Sequence, residues 1–146
     1  MSVDRIKECF KLPGGNLSRY SPLTLAFIGD SIYALIIKTV IVERANCPAN
    51  VLHKETVKYV SAIAQANIAR YLIDNECLSD KENDILRRGR NAKSPSVAKN
   101  ASVADYRMAT GLEALVGYLY LDGQNDRLLE IIRSGVEHID DSSRVD

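Results

Sequence analysis

Apolar residues recur along this chain every three or four positions, which is the spacing that places them on one face of an α-helix. Stretches rich in glycine, proline and asparagine interrupt this pattern. The pattern predicts helices over about Asp4–Leu12, Pro22–Val42, Val51–Asp74, Asp80–Leu86, Asp105–Gly123 and Asn125–Ile139. The polar residues after the last helix are expected to fray. We therefore expect an all-α fold in one domain, residues 1–146 with a core of about 21–140.

One carboxylate, Asp30, stands inside the apolar segment Leu23–Val42. Ser21 and Pro22 are typical of a helix start, with serine as the N-cap, so Asp30 falls two turns inside a helix. The alternative is a strand that ends at Asp30 and a helix that this residue caps, but the Ser-Pro pair favours one helix. The segment is also about as long as a membrane span, yet Asp30 and Lys38 would each cost a few kcal/mol in a bilayer. We therefore expect a buried core helix and no membrane partner.

The charges balance, since 19 lysine and arginine residues face 19 aspartate and glutamate residues. The chain therefore lacks the overall basic excess that is typical of nucleic-acid-binding proteins, so any contact with nucleic acid must come from a local cluster of basic residues. The three cysteines lie far apart, which is typical of reduced thiols in a cytoplasmic protein. The N-terminus has no apolar run of signal-peptide length, and with only two histidines a zinc site is not expected.

A second acid, Glu113, repeats the situation of Asp30 in a later predicted helix. Glycines and alanines flank both acids, so two helices that cross at these points approach closely. Two carboxylates that meet there repel each other unless a cation offsets their charge. Mg²⁺ is the natural choice for oxygen ligands, and Mn²⁺ can replace it. The alternative is structural: each acid hydrogen-bonds the backbone or pairs with Arg107 or Lys38.

After Leu86 the helical pattern stops, and residues 87–99 contain several lysines and arginines but no acid. The glycine, serines and asparagine of this stretch indicate a flexible loop whose donors suit phosphate oxygens. The alternative is a solvated loop without a ligand. A metal-binding acid pair beside a phosphate-binding loop describes a phosphodiesterase. The candidate phosphate contacts are Lys54, Arg88, Arg90, Asn91, Lys93 and Ser94.

Two segments resemble the acidic motifs of the ribonuclease III family, LTLAFIGDSIY at residues 23–33 and ATGLEALVGYLYLDG at residues 109–123. The intervening RGRNAKS, the short chain and the lack of an appended double-stranded-RNA-binding domain are similar to mini-ribonuclease III. The resemblance implies a helical endonuclease domain that cuts double-stranded RNA as a homodimer. It assigns Asp30 and Glu113 as catalytic residues and ligands of Mg²⁺, and the basic residues above as RNA contacts.

The same resemblance implies a substrate and a setting. The RNA would be the precursor of large-subunit (23S) ribosomal RNA, processed in the cytoplasm, with a large-subunit ribosomal protein as a further partner. Full-length members of the family carry additional acids where this chain has Ala26 and Thr110. The number of metal ions per site therefore stays open.

Two other function classes remain alternatives. A non-catalytic protein of the same fold would bind duplex RNA without cutting it. A helical dimerisation module would use its two acids for structure alone. If the chain is such a module, Asp30→Asn or Glu113→Gln would leave the stability of the fold unchanged or raise it. Neither substitution would lower RNA affinity, because the module has none.

Overall fold

The structure is a computed structural model that describes residues 1–92 and 102–145. All regular secondary structure in those ranges is helical, which confirms the predicted all-α class. A single 3-10 turn, Leu17–Arg19, follows the first helix. The α-helices are α1 Val3–Cys9, α2 Pro22–Arg44, α3 Ala49–Val60, α4 Ala62–Asp74, α5 Asp80–Asn91, α6 Val103–Leu121 and α7 Asn125–Val145.

Helix α6 is the centre of the fold, and α2, α4, α5 and α7 pack around it. Most of its residues from position 108 to position 120 are buried, and they belong to one apolar cluster with the inner faces of the neighbouring helices. A helix that is surrounded by others is apolar on nearly all sides. The position of Glu113 on this helix therefore places a carboxylate close to the core.

Glycines allow α6 to approach its neighbours at backbone distance. A Cβ atom on Gly29 of α2 would overlap the backbone carbonyl of Glu113, and a Cβ atom on Gly117 would overlap the carbonyl of Leu25. On the other side of α6, a Cβ atom on Gly111 would lie 2.6 Å from a backbone oxygen of α5. Backbone contact thus fixes α6 between α2 and α5.

Helix α2 begins as predicted. The Ser21 hydroxyl accepts a hydrogen bond from the Thr24 N–H at 3.2 Å, and Pro22 occupies the first turn. By length and composition alone, α2 would also be apolar enough to cross a membrane, although a core helix passes the same test. The inner face of α2, which includes Tyr33 and Ile37, is buried in the core. The single-helix interpretation of this segment is therefore confirmed over the strand alternative.

The prediction of one helix over residues 51–74 is wrong, because the structure divides this segment into α3 and α4 at Ser61. The Ser61 backbone is extended, with φ −62° and ψ 154°. Its hydroxyl accepts a hydrogen bond from the Ala64 N–H at 3.2 Å, which caps α4. The apolar periodicity continues across this corner, so the pattern alone gave no sign of it.

Side chains from outside α3 satisfy the carbonyl groups at its end. The Tyr33 hydroxyl donates to the Tyr59 carbonyl at 2.6 Å, and the Gln65 side-chain amide donates to the Val60 carbonyl at 3.0 Å. The last carbonyls of a helix have no partner within the helix, so these bonds stabilise the break. The corner between α3 and α4 is thereby attached to α2.

Helix α5 is longer than predicted. It starts at Asp80, as predicted, after a capping box formed by Ser79 and Glu82, but it continues to Asn91, whereas the sequence pattern ends at Leu86. Gly89 accounts for part of the extension, because a Cβ atom there would lie 2.8–2.9 Å from atoms of α6. The packing of α5 on α6 thus continues beyond the end of the apolar pattern.

Helix α7 also extends further than predicted, to Val145 instead of about Ile139. Asp140 contributes to this extension because its carboxylate accepts a hydrogen bond from Arg44 at 3.0 Å and another from the Tyr59 hydroxyl. These contacts attach the end of α7 to α2 and α3. The expectation of a frayed tail is therefore wrong for the described residues after position 139.

Candidate carboxylate site

Asp30 and Glu113 meet where α2 crosses α6. Asp30 directly follows Gly29, whose Cα faces the backbone carbonyl of Glu113, so the crossing that brings the two backbones together also brings the two side chains together. The two carboxyl groups share a hydrogen bond. Asp30 is exposed to solvent, and Glu113 is half-buried. The structure thus places these two predicted site residues side by side.

The environment of Glu113 strongly favours its neutral form. Burial, followed by the hydrogen bond and the negative charge of Asp30, raises the pKa of Glu113 from 4.5 to about 9. Burial removes water from the carboxylate, and a like charge nearby opposes ionisation further. Without a bound cation, the Glu113 carboxyl is therefore protonated at neutral pH and donates its proton toward Asp30.

No basic side chain offsets this pair within residues 1–92 and 102–145. The ion pairs in those ranges involve neither Asp30 nor Glu113. The described part of the chain therefore does not contain the ion pair with Lys38 or Arg107 that the structural alternative expects. Two oxygen ligands in contact, one of them open to solvent, fit a hard divalent cation with retained waters. The donor chemistry of this pair is therefore suited to Mg²⁺ or Mn²⁺.

The two positions that depart from the larger enzymes add no third carboxylate. Ala26 is buried one turn before Asp30, and Thr110 is buried one turn before Glu113. The Thr110 hydroxyl donates to the Tyr106 carbonyl at 3.0 Å and is thus used within its own helix. In the described part of the chain, no group of three or more aspartate, glutamate, histidine or cysteine side chains is suited to hold a metal.

Tyr33 is a residue next to the site that the motifs alone did not single out. It lies one turn after Asp30 on α2, and burial together with the nearby Glu113 carboxyl raises the pKa of its phenol. Its hydroxyl therefore remains protonated and donates to the Tyr59 carbonyl. A tyrosine inside an otherwise apolar helix was the available signal, since a buried hydroxyl needs a partner.

The predicted phosphate contacts are distributed over different elements. Arg88, Arg90 and Asn91 lie in the last turns of α5, so the expectation that they belong to a flexible loop is wrong. The Arg90 side chain donates to the Asn91 side-chain oxygen at 3.3 Å. Lys54 is exposed on α3, and the ion pairs of the described residues do not join it to either carboxyl. Two further candidates lie outside the described residues: Lys93 and Ser94.

Comparison with known families gives one match that spans the site. A family model for the Ribonuclease III domain matches residues 23–124 of this chain. That range contains both carboxylates and the helices α2 to α6. It therefore covers the complete crossing at which the two carboxyls meet.

Curated relatives and a solved structure are similar over most of the chain. Mini-ribonuclease 3 of Thermoanaerobacter sp. (strain X514) is 54% identical over 121 residues, which cover 83% of this chain and 84% of that protein. Mini-ribonuclease 3 of Enterococcus faecalis (strain ATCC 700802 / V583) is 42% identical over 121 residues, which cover 83% of this chain and 92% of that protein. An X-ray structure of a Fusobacterium nucleatum protein superimposes with a TM-score of 0.76 at 27% identity, over 85% of this chain and 99% of that one.

Proposed function

Because this chain belongs to the ribonuclease III domain family, and is therefore an endoribonuclease of the type that cuts double-stranded RNA, we propose that Asp30 and Glu113 hold the divalent cation required for cleavage. One observation carries this proposal. The two carboxyls contact each other at a helix crossing where no lysine or arginine of the described residues neutralises them. Such a pair is costly unless a ligand offsets its charge.

Mg²⁺ is the cation we propose, and Mn²⁺ replaces it because both prefer oxygen ligands. When bound, such an ion activates a water for in-line attack on the phosphodiester and stabilises the charge on the leaving 3′ oxygen. Glu113 is anchored on the buried helix α6, and Asp30 is open to solvent, so the pair combines a fixed ligand with an accessible one. Since the Glu113 carboxyl carries a proton in the free protein, it must release that proton to ligate the ion.

RNA contacts come from basic and amide side chains outside the carboxyl pair. In this proposal Arg88, Arg90 and Asn91 present their donors from the end of α5, and Lys93 and Ser94 follow them in the chain. Lys54 adds a separate contact from α3. Duplex RNA is recognised by its A-form shape and its backbone, so these residues position the substrate with little regard to sequence.

The proposed assembly is a homodimer formed through the outer face of α2. Phe27 is 80% exposed, Leu35 is 53% exposed and Val42 is 52% exposed, although each is a large apolar residue. Their spacing places them along one side of the helix. A row of exposed apolar side chains on a core helix indicates contact with another protein surface. Asp30 lies within the same stretch of α2, so each subunit would carry its carboxyl pair near this interface.

The biological substrate in this proposal is a paired end of the 23S ribosomal RNA precursor, in the cytoplasm. The resemblance of the two acidic motifs and of the RGRNAKS segment to mini-ribonuclease III supports it. A chain with no net charge gains little general electrostatic affinity for RNA. A large-subunit ribosomal protein that presents the duplex would supply affinity that the enzyme lacks.

Cleavage of end-labelled RNA tests the proposal. We expect the purified protein to cut double-stranded RNA with Mg²⁺ or Mn²⁺, to leave single-stranded RNA intact, and to do nothing in EDTA. Asp30→Asn and Glu113→Gln should abolish cleavage, whereas Glu130→Gln, an exposed acid of α7, should retain it. Cleavage by Glu113→Gln at the rate of the unmodified protein would contradict the proposed ligand pair. Duplex binding without cleavage in either metal would favour the non-catalytic alternative.

A further inference from the structure

A cavity of about 350 Å³ lies between the segment before α2, the outer face of α5 and the second half of α6. Its polar wall includes Lys81 and Arg88 from α5, Tyr118 from α6, and Asp122 directly after α6. The opposite wall is formed by residues 15–18 and by Tyr20, which precede the range that matches the Ribonuclease III domain. The cavity is therefore built partly from a segment outside the matched domain.

Two cations line this cavity from the same side of one helix. Lys81 and Arg88 are seven residues apart, which is two turns of α5 or about 10 Å along its axis. Neither forms an ion pair with an acid of the described residues. The nearby Asp84 binds Arg87 at 2.6 Å, and the hydrogen bond from Arg87, followed by the positive charges of Arg87, Arg88 and Lys81, lowers the pKa of its carboxyl. Both cations are thus available for a ligand that carries negative charge.

The cavity wall also contains one acid, Asp122. Asp122 already accepts a hydrogen bond from the Gln124 side-chain amide at 2.8 Å. The lysine contacts an aromatic ring, with its Nζ 5.8 Å from the ring centre of Tyr118. With two cations and one carboxylate, the lining keeps a positive balance.

A cation beside the cavity, Arg19, contacts one residue of the wall that precedes α2. Arg19 lies over the Tyr20 ring, 5.1 Å from its centre, and donates to the Tyr20 hydroxyl at 3.1 Å. This hydrogen bond, with the charges of Arg19 and Lys7, lowers the pKa of the Tyr20 phenol. The two cations that line the cavity, Lys81 and Arg88, therefore both come from α5.

We propose that this cavity binds a phosphate group of the RNA substrate, at a site separate from the Asp30–Glu113 pair. The inference rests on the proposed function and extends its RNA contacts to Lys81 and to the wall formed by residues 15–18 and Tyr20. The cavity residues Tyr118 and Asp122 are five and nine positions after Glu113 on α6, which corresponds to about 8–14 Å along the helix. At about 100° per residue these positions also lie about 140° and 180° around the helix from Glu113, so a phosphate held here is bound on a different side of α6 from the carboxyl pair.

The test is the salt dependence of duplex binding by Lys81→Gln, measured by fluorescence anisotropy in EDTA so that no cleavage occurs. Removing one phosphate contact should lower the slope of log K against log salt by about one. Raising the salt fourfold would then weaken duplex binding by Lys81→Gln about fourfold less than binding by the unmodified protein. Lys81→Arg should behave like the unmodified protein. Arg133→Gln, which removes one positive charge from exposed α7, serves as the matched control and should keep the full slope.

Two duplexes distinguish the source of the phosphate. If Lys81→Gln loses slope with a 5′-hydroxyl duplex, the site holds an internal phosphodiester; if it does so only with a 5′-phosphate duplex, it holds the terminal group. Equal slopes and affinities for Lys81→Gln and Arg133→Gln on both duplexes would overturn the inference. If the protein binds duplex RNA but does not cut it in Mg²⁺, the proposed catalysis is wrong. The comparison of Lys81→Gln with Arg133→Gln then still tests the phosphate site. Absence of any duplex binding overturns both.

Discussion

Replacing Glu113 by glutamine should stabilise the metal-free protein at neutral pH. In the native structure the carboxyl is half-buried against Asp30, and these surroundings raise its pKa from 4.5 to about 9. The unfolded chain has no such surroundings, so the same group ionises there near its ordinary pKa. The substitution removes the ionisation and leaves an amide of similar size that still donates a hydrogen bond to Asp30.

The sign follows from proton binding. Between pH 4.5 and about 9 the folded protein retains a proton on Glu113 that the unfolded chain has released, so the free energy of unfolding falls as the pH rises. One pH unit in this window corresponds to at most about 1.4 kcal/mol, which makes the cost at pH 7 up to about 3 kcal/mol. The stability of Glu113→Gln does not fall with pH in this way, because glutamine does not ionise. For a chain of this size, a gain of about 3 kcal/mol raises Tm by about 6–12 °C.

Thermal unfolding in EDTA from pH 5 to pH 8, followed by circular dichroism, measures the effect. We expect the stability advantage of Glu113→Gln to be small near pH 5 and to grow with pH. Glu137→Gln, which changes an exposed acid paired with Arg133, should show no such growth. Added Mg²⁺ should stabilise the unmodified protein and not Glu113→Gln, because the ion binds only the native carboxyl pair. Parallel pH profiles for the unmodified protein and Glu113→Gln would refute this reasoning.

Three further substitutions test the packing around the site. Gly29→Ala should destabilise the fold by about 3 kcal/mol or more, because the added Cβ overlaps an α6 carbonyl. Gly14→Ala, with open space around it, should be nearly neutral, and urea unfolding of the two variants measures the difference. Tyr33→Phe should cost about 1–3 kcal/mol in the same assay, since the Tyr59 carbonyl loses its donor; an unchanged midpoint would contradict that role. Phe27→Asp should convert the proposed dimer into monomers, as measured by analytical ultracentrifugation. An unchanged dimer would show that this face of α2 is not the dimer interface.

Local features of the sequence were sufficient to predict the start of α2 and the start of α5. Ser21 followed by proline, and Ser79 followed by Glu82, satisfy helix N-termini with neighbouring residues, so their signals lie within a few positions. The small residues around Asp30 and Glu113 also predicted a close helix crossing, and the structure has one there. The two helix starts depend on short-range chemistry, and the crossing was predictable only because small residues stand next to each acid.

Features that depend on distant contacts could not be predicted in this way. The corner at Ser61 is stabilised by Tyr33, which is far away in sequence, and the apolar pattern continues through it. The extension of α5 depends on Gly89 packing against α6. Whether Lys38 or Arg107 neutralises the acids depended on where the helices place those side chains, which periodicity does not specify.

The most direct test of the central claim is Mn²⁺ binding, measured by electron paramagnetic resonance at pH 6 and pH 8. We predict that the unmodified protein binds Mn²⁺, more tightly at pH 8 than at pH 6, because Glu113 must lose its proton to ligate the ion. Asp30→Asn and Glu113→Gln should lose this binding, and Glu130→Gln should retain it. Equal binding by the unmodified protein and Glu113→Gln at both pH values would contradict the assignment of the carboxyl pair as the metal site.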